Sequence, residues 1–160
     1  MLDSVDVPFD PATVAIGLAL FALLSVIAII DMRSMIIPNW ANAALLVLGA
    51  TNTLLRGIPS APSALIGASV GAAMFLAVKV GFKLLRGKEG MGMGDVKFMA
   101  GAGSLLGPIL LPWLVVVASV SGLLTALLLQ SNGATRRLPF APHLALGLML
   151  CWLLQAADMV

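Results

Sequence analysis

Gly92-Met93-Gly94-Asp95-Val96-Lys97-Phe98 is the stretch that decides how this 160-residue chain is read. A polar, glycine-rich loop becomes an apolar helix there, with an aspartate at the junction. A carboxylate at the edge of a hydrocarbon layer is costly unless it has a partner or a function. One other acid occupies a comparable place, Asp31, at the end of a long apolar run. The chain therefore reads as a membrane frame that brings two carboxylates together.

Composition supports the frame. The chain is 61% hydrophobic and 10% charged, with a mean hydropathy of +1.09. A soluble domain is about 45–50% apolar and about 25% charged. The fold class is thus an all-α integral membrane protein, read as one membrane-embedded domain over residues 1–160. A net charge of +2 is too small to suggest nucleic acid. The single cysteine, Cys151, lies in an apolar run, so it reads as a small core residue. It excludes an intrachain disulfide and a cysteine-based zinc cluster.

Outward from the motif, the pattern predicts about six transmembrane helices. Residues 1–12 carry Asp3, Asp6 and Asp10 and no basic residue, unlike the start of a signal peptide. Pro11 opens a run from Ala12 to Ile30, about one bilayer in length. It stops at Asp31-Met32-Arg33-Ser34. Pro38, suited to a first helical turn, precedes a run from Trp40 to Leu55. Arg56 to Pro62 reads as a loop from its Pro and Gly content. The third span covers Ser63 to Leu85, and Gly67 and Gly71 in it permit close helix packing. The fourth, from Val96 to Leu106, is too short to cross a ~30 Å core at ~1.5 Å per residue. It either lies beneath a water-filled cavity or extends past Asp95 into the loop. The fifth runs from Leu110 to Leu129, and the last from Pro139 to Ala157, with Pro139 and Pro142 in its first turn.

Charge orients the bundle. With the N-terminus outside, Arg33, Lys79, Lys83, Arg86, Lys88, Lys97, Arg136 and Arg137 all fall on or near the cytoplasmic side, and only Arg56 lies outside. Eight against one is a strong positive-inside signal. Both chain ends are then outside, and Asp31 and Asp95 both fall at the cytoplasmic boundary.

Each marked residue also has a plainer reading. Asp95 resembles an N-cap, and Asp31 a solvated stop at a helix end. Lys97 reads as a cation reaching for the interface. His143, with no second His, Cys or extra acid beside it, reads as a packed histidine rather than a metal ligand. Serines such as Ser25, Ser69, Ser104 and Ser121 in apolar runs usually bond the backbone. Glu89 reads as a loop charge, and Asp158 belongs to the opposite side.

Together the two acids suggest chemistry. Two carboxylates sharing a proton divide the work of peptide hydrolysis. The ionised one takes a proton from water, and the protonated one polarises the scissile carbonyl. Such a pair titrates as a unit and needs neither metal nor cofactor. Gly92 and Gly94 would let the backbone approach a substrate or adopt positive φ.

These residues resemble the prepilin peptidases, the Gly-x-Gly-Asp aspartic proteases that process type IV pilin and related precursors. Asp31 precedes Ile37-Pro38-Asn39 as that family's first catalytic aspartate does. Gly92-Met93-Gly94-Asp95-Val96-Lys97 fits its second motif. Leu138-Pro139-Phe140-Ala141-Pro142-His143 looks like its Pro-Phe-x-Pro segment. The resemblance covers about residues 12–157 and extends, more remotely, to presenilin-type intramembrane proteases.

The resemblance implies Asp31 and Asp95 as catalytic residues, with Gly92, Gly94, Lys97, Pro38, Asn39, Pro139, Phe140 and Pro142 in support. It implies cleavage of a short basic leader from a prepilin or pseudopilin precursor, at the cytoplasmic face of the inner membrane and among its lipids. Larger members carry an extra N-terminal segment with two Cys-x-x-Cys pairs, associated with N-methylation. Asp31 lies too near the start for that segment, so the chain looks like the compact type found with tight-adherence (Flp) pilus systems. Archaeal preflagellin peptidases are compact too. The competing class is a non-enzymatic membrane protein, a transporter subunit or pilus assembly factor using Asp31 and Asp95 as ion ligands or caps. An ion pathway would carry polar groups through the midplane, whereas these spans are almost wholly apolar there.

Overall fold

A computed structural model of the chain describes residues 10–88, 90–131 and 138–157. Asp3, Asp6, Glu89, Arg136, Arg137 and Asp158 lie outside the described residues. Among the described residues there are six helices and no strand: α1 (Pro11–Ser34), α2 (Asn39–Arg56), α3 (Ala61–Arg86), α4 (Met93–Leu106), α5 (Leu111–Ser131) and α6 (Ala141–Ala156). Three of them, α1, α3 and α5, are long and apolar enough to cross a membrane; α6 is a shorter apolar helix.

Local chemistry sets the boundaries. Asp10 caps α1, its carboxylate accepting the Thr13 N–H at 2.9 Å, and Pro11 takes the first helical position. Hydrogen bonds from the Thr13 side chain and backbone hold the Asp10 carboxyl below the usual carboxylate range. At its other end α1 continues four residues past the expected Ile30. Asp31 is therefore inside the helix and buried, not a solvated stop. The helix closes on Met35, a left-handed residue (φ 54°) whose N–H donates to the Asp31 carbonyl at 2.8 Å. Glycines with positive φ, Gly57 and Gly87, end α2 and α3 where a left-handed residue satisfies the last carbonyls. Four of the serines in apolar helices do bond the backbone: Ser25 to Phe21, Ser69 to Leu65, Ser104 to Gly101 and Ser121 to Ala118.

Helix α4 is the centre. It packs on α2, α3, α5 and α6, while α1 closes the bundle against α2 and α6. Small residues let it sit so deep. A Cβ on Gly67 would collide with the backbone of Gly103, and one on Gly71 with the Met99 carbonyl. The pair on α3 thus meets α4 backbone to backbone, where dispersion contacts replace the missing hydrophobic drive between helices in lipid. On the α2 side, Gly49 leaves room for Ser104. Phe98, Met99, Ala102 and Leu105 complete a core with Leu20, Ile27, Leu45, Leu114 and Leu148. Cys151 is buried within it, as a small core residue should be.

The α3–α4 contacts also fix depth. Gly67 lies against Gly103 and Gly71 against Met99, so the helices run antiparallel in register. Four residues further along α3, Phe75 is level with Asp95. Arg86 is eleven residues beyond Phe75, or roughly 16 Å higher at about 1.5 Å per residue. The start of α4 is therefore recessed below the tip of α3.

Candidate active site

Three helix ends and one connection converge on Asp31 and Asp95. Asp31 stands in the last turn of α1 and is 6% exposed. Its Oδ2 accepts the backbone N–H of Ala141, the first residue of α6, at 2.9 Å. Phe140, the residue that caps α6, offers no side-chain acceptor, so the Asp31 carboxylate does that work from a distance of 110 residues. A helix N-terminus presents unpaired N–H groups and the positive end of its dipole, a natural seat for a carboxylate.

Asp95 is not the N-cap of α4. The cap is Gly92 (φ −70°, ψ 151°), the helix begins at Met93, and Asp95 is its third residue. Its carboxylate lies beside the cap, Oδ2 being 3.4 Å from where a Gly92 Cβ would stand. Gly92 does not use positive φ; among the described residues the glycines that do are Gly57, Gly87 and Gly107. Gly94 is needed for proximity, since a Cβ there would be 3.0 Å from the Ile37 Cβ and 3.4 Å from its N and O.

The two carboxylates lie within about one helical turn of each other in depth. Gln155 Nε2 donates to the Leu106 carbonyl at 3.2 Å, tying the far ends of α4 and α6. From there Asp95 is eleven residues up α4 and Ala141 fourteen residues up α6, roughly 16 and 21 Å. The difference is about one helical turn. Both acids line the same two adjoining cavities, of about 510 and 690 Å³. Met35 and Gly92 also belong to both, so the pair stands where the two lobes meet.

The lobes differ in chemistry. The first is walled by Ile36 to Asn39, Met93, Gly94 and Lys97. There Lys97 does not simply reach for the interface: its Nζ donates to Asn39 Oδ1 at 2.7 Å. The second lobe is bounded by Phe82, Lys88, Met91, Leu138, Pro139 and Phe140. Pro139 precedes α6 rather than lying in its first turn, and Pro142 lines a separate groove between α1 and α6. His143 is packed, its Nδ1 3.2 Å from Ser121 Oγ and its ring 6.4 Å from that of Phe140. Two contributors carried no motif. Asn42, buried in α2, donates through Nδ2 to the Gly94 carbonyl at 3.4 Å. Phe82 packs its ring where a Gly90 Cβ would otherwise be. An asparagine inside an apolar run is the signal that marks Asn42; nothing local marks Phe82.

Basic residues gather at this end: Lys88 and Lys97 line the cavities, and Arg33, Lys79, Lys83 and Arg86 belong to the C-terminal parts of α1 and α3. At the opposite end Arg56 lies over the Trp152 ring, 5.4 Å from its centroid.

A model of the type IV leader peptidase family matches residues 18–127, a stretch that includes both Asp31 and Asp95. The chain belongs to that family. Among the chain's relatives, the prepilin leader peptidase/N-methyltransferase of Aeromonas hydrophila is 35% identical over 141 residues, covering 85% of this chain and 49% of that protein. The protein of the same description from Burkholderia pseudomallei (strain K96243) is 37% identical over 143 residues, 88% of this chain and 46% of its own length. That of Escherichia coli (strain K12) is 32% identical over 146 residues, 89% and 64% of the respective chains. The chain spans about half the length of the first two. No solved structure matches.

Proposed function

We propose that this chain is a membrane aspartic endopeptidase that removes the leader of prepilin-like precursors, with Asp31 and Asp95 as its catalytic pair. The observation that carries this reading is the shared position of the two carboxylates, lining the same two cavities at the junction of the lobes. Water held between them loses a proton to the ionised carboxylate and attacks the scissile carbonyl, whose oxygen is polarised by the protonated one. The nitrogen of the leaving amine takes up a proton as the C–N bond breaks. Like charges in one cavity resist double ionisation, so a single shared proton is the working state of the pair.

The substrate is a prepilin or pseudopilin precursor whose peptide enters the groove while its apolar helix stays in the bilayer. The basic residues around the cavities favour a cytoplasmic position for the site, in the inner membrane, with both termini outside. Residues 1–160 act as one peptidase domain. The chemistry asks for no metal and no cofactor. Cleavage, rather than N-methylation, is the activity we assign to these residues.

Co-expression with a candidate prepilin tests the reading. N-terminal sequencing of the product should find a new terminus at the end of the basic leader, and methyl transfer to that terminus should not depend on this chain. Unprocessed precursor beside well-folded, membrane-inserted enzyme, across the prepilins of its own genome, would leave the transporter or assembly-factor reading in place.

A further inference from the structure

The first turn of α4 carries Asp95 but is poorly held by its own chain. Gly92 caps it without a side-chain acceptor, and the connection leading to it contains Gly87, Gly90 and Gly92. Glycine has the largest conformational freedom of any residue, so the connection transmits little order. Order arrives instead from α2. Asn39 and Asn42 are three residues apart, hence on one face of that helix. Asn39 Oδ1 accepts the Lys97 ammonium at 2.7 Å, and Asn42 Nδ2 donates to the Gly94 carbonyl at 3.4 Å. The two bonds grip α4 one residue before Asp95 and two residues after it. Ile37 packs on Gly94 between them.

We propose that Asn42, acting with Asn39, is a positioning residue that fixes the Asp95 carboxylate opposite Asp31. This rests on the reading of the two aspartates as the catalytic pair. Asn42 is an odd choice for stability alone. It is 2% exposed in an apolar helix, and its Oδ1 finds no hydrogen-bond donor among the described residues. A buried acceptor without a partner costs free energy, and an apolar group of the same shape removes that cost. The reverse amide orientation would set Oδ1 against the Gly94 carbonyl, acceptor against acceptor. The side chain thus spends fold stability to hold one carbonyl in the turn that bears Asp95. Carboxylates a fraction of an ångström out of place lose proton-transfer efficiency while substrate still binds.

Asn42→Leu keeps the volume and deletes both polar atoms. Asn39→Ala, at an exposed position, releases the Lys97 side chain with little risk to folding. The full chain, purified in mild detergent, is assayed on a prepilin for kcat and KM and then melted. For Asn42→Leu we expect kcat to fall at least tenfold, KM to stay within about threefold, and the melting temperature to equal or exceed that of the unmodified chain. Asn39→Ala should lower kcat at least threefold with the same unchanged melting. Unchanged kcat in Asn42→Leu overturns the proposal. So does a loss of kcat that comes only with a lower melting temperature or a raised KM, since either marks a merely structural or binding role. Asp95→Asn run alongside separates the failures. If it too cleaves, the catalytic pair is wrong; if it is inactive while Asn42→Leu is normal, only the brace is wrong.

Discussion

Asp31 holds two posts, and substitutions should separate them. Its carboxylate caps α6 through the Ala141 N–H and, as proposed, moves a proton in the cavity. Asp31→Asn keeps an oxygen that can accept from Ala141. What it loses structurally is the charge facing a helix N-terminus, worth about 0.3–1 kcal/mol. Asp31→Ala leaves the Ala141 N–H buried without an acceptor, at a cost of about 1–3 kcal/mol. Stability should therefore rank native, Asn, then Ala. Activity should not follow that ranking. Either substitution removes the only group at position 31 able to take or give a proton, and positioned acid–base groups contribute about 100- to 10,000-fold. Both variants should fall by such a factor, Asn as far as Ala, although Asn is the better folded.

Asp95→Asn should fall equally. The Asp31→Asn, Asp95→Asn double variant should stay within about threefold of the worse single, because residues that act as one unit are grossly non-additive. The assay is cleavage of a prepilin by enzyme purified in mild detergent, followed by gel mobility with product sequencing, beside thermal melts of the same preparations. Asp31→Asn cleaving within tenfold of native would refute the reasoning. A double variant whose loss is the product of the two single losses would refute the shared proton even if each single is inactive.

Gly94→Val should lower cleavage more than tenfold, with a smaller loss of folded protein of about 1–3 kcal/mol, since its branched Cβ forces Ile37 away from the turn that bears Asp95; normal activity would show that the contact does not matter. Topology is checked by impermeant thiol labelling in intact cells: cysteines at Ser4 and Ser60 should react from outside and one at Ser34 or Gly90 only from inside, and outside labelling at position 90 would remove the cytoplasmic site.

Much of the fold was legible because membrane helices obey a simple rule. A predominantly apolar run between breakers such as Pro11 and Asp31, or Pro62 and Arg86, becomes a helix, since no other backbone state satisfies its N–H and C=O groups in lipid. What failed were the ends. Met93 and Gly94 look like loop because glycine is a poor helix former, yet Ile37 from the α1–α2 connection and Asn42 from α2 grip that turn, and tertiary contacts override propensity. The same override makes Asp95 a first-turn residue rather than a cap. That Asp31 and Asp95 share a side followed from span counting and charge. The partner of Asp31 was illegible, because the Ala141 N–H is a backbone group with no signature and lies 110 residues away. Gly67 and Gly71 announced close packing, but nothing in their neighbourhood named Gly103 and Met99 as the surfaces they meet.

The shortness of α4, which looks like a defect in a span, is what makes a polar site tolerable in this bundle. A 14-residue helix covers only about 21 Å of a roughly 30 Å hydrocarbon layer. Its C-terminal end is tied to the end of α6 by Gln155, so the whole shortfall appears at the end that carries Asp95. There α3 continues past it, and α4 begins below the tip of α3. The cavities occupy the space that a full-length fourth helix would fill, walled by Phe82, Met91 and Phe140 on one side and by the Ile37–Asn39 connection on the other. Carboxylates there face neither lipid nor a closed core, so water can reach them and they escape the full cost of burying charge. Lengthening α4 would therefore not repair the bundle but close it: added turns would fill the space that the two cavities occupy.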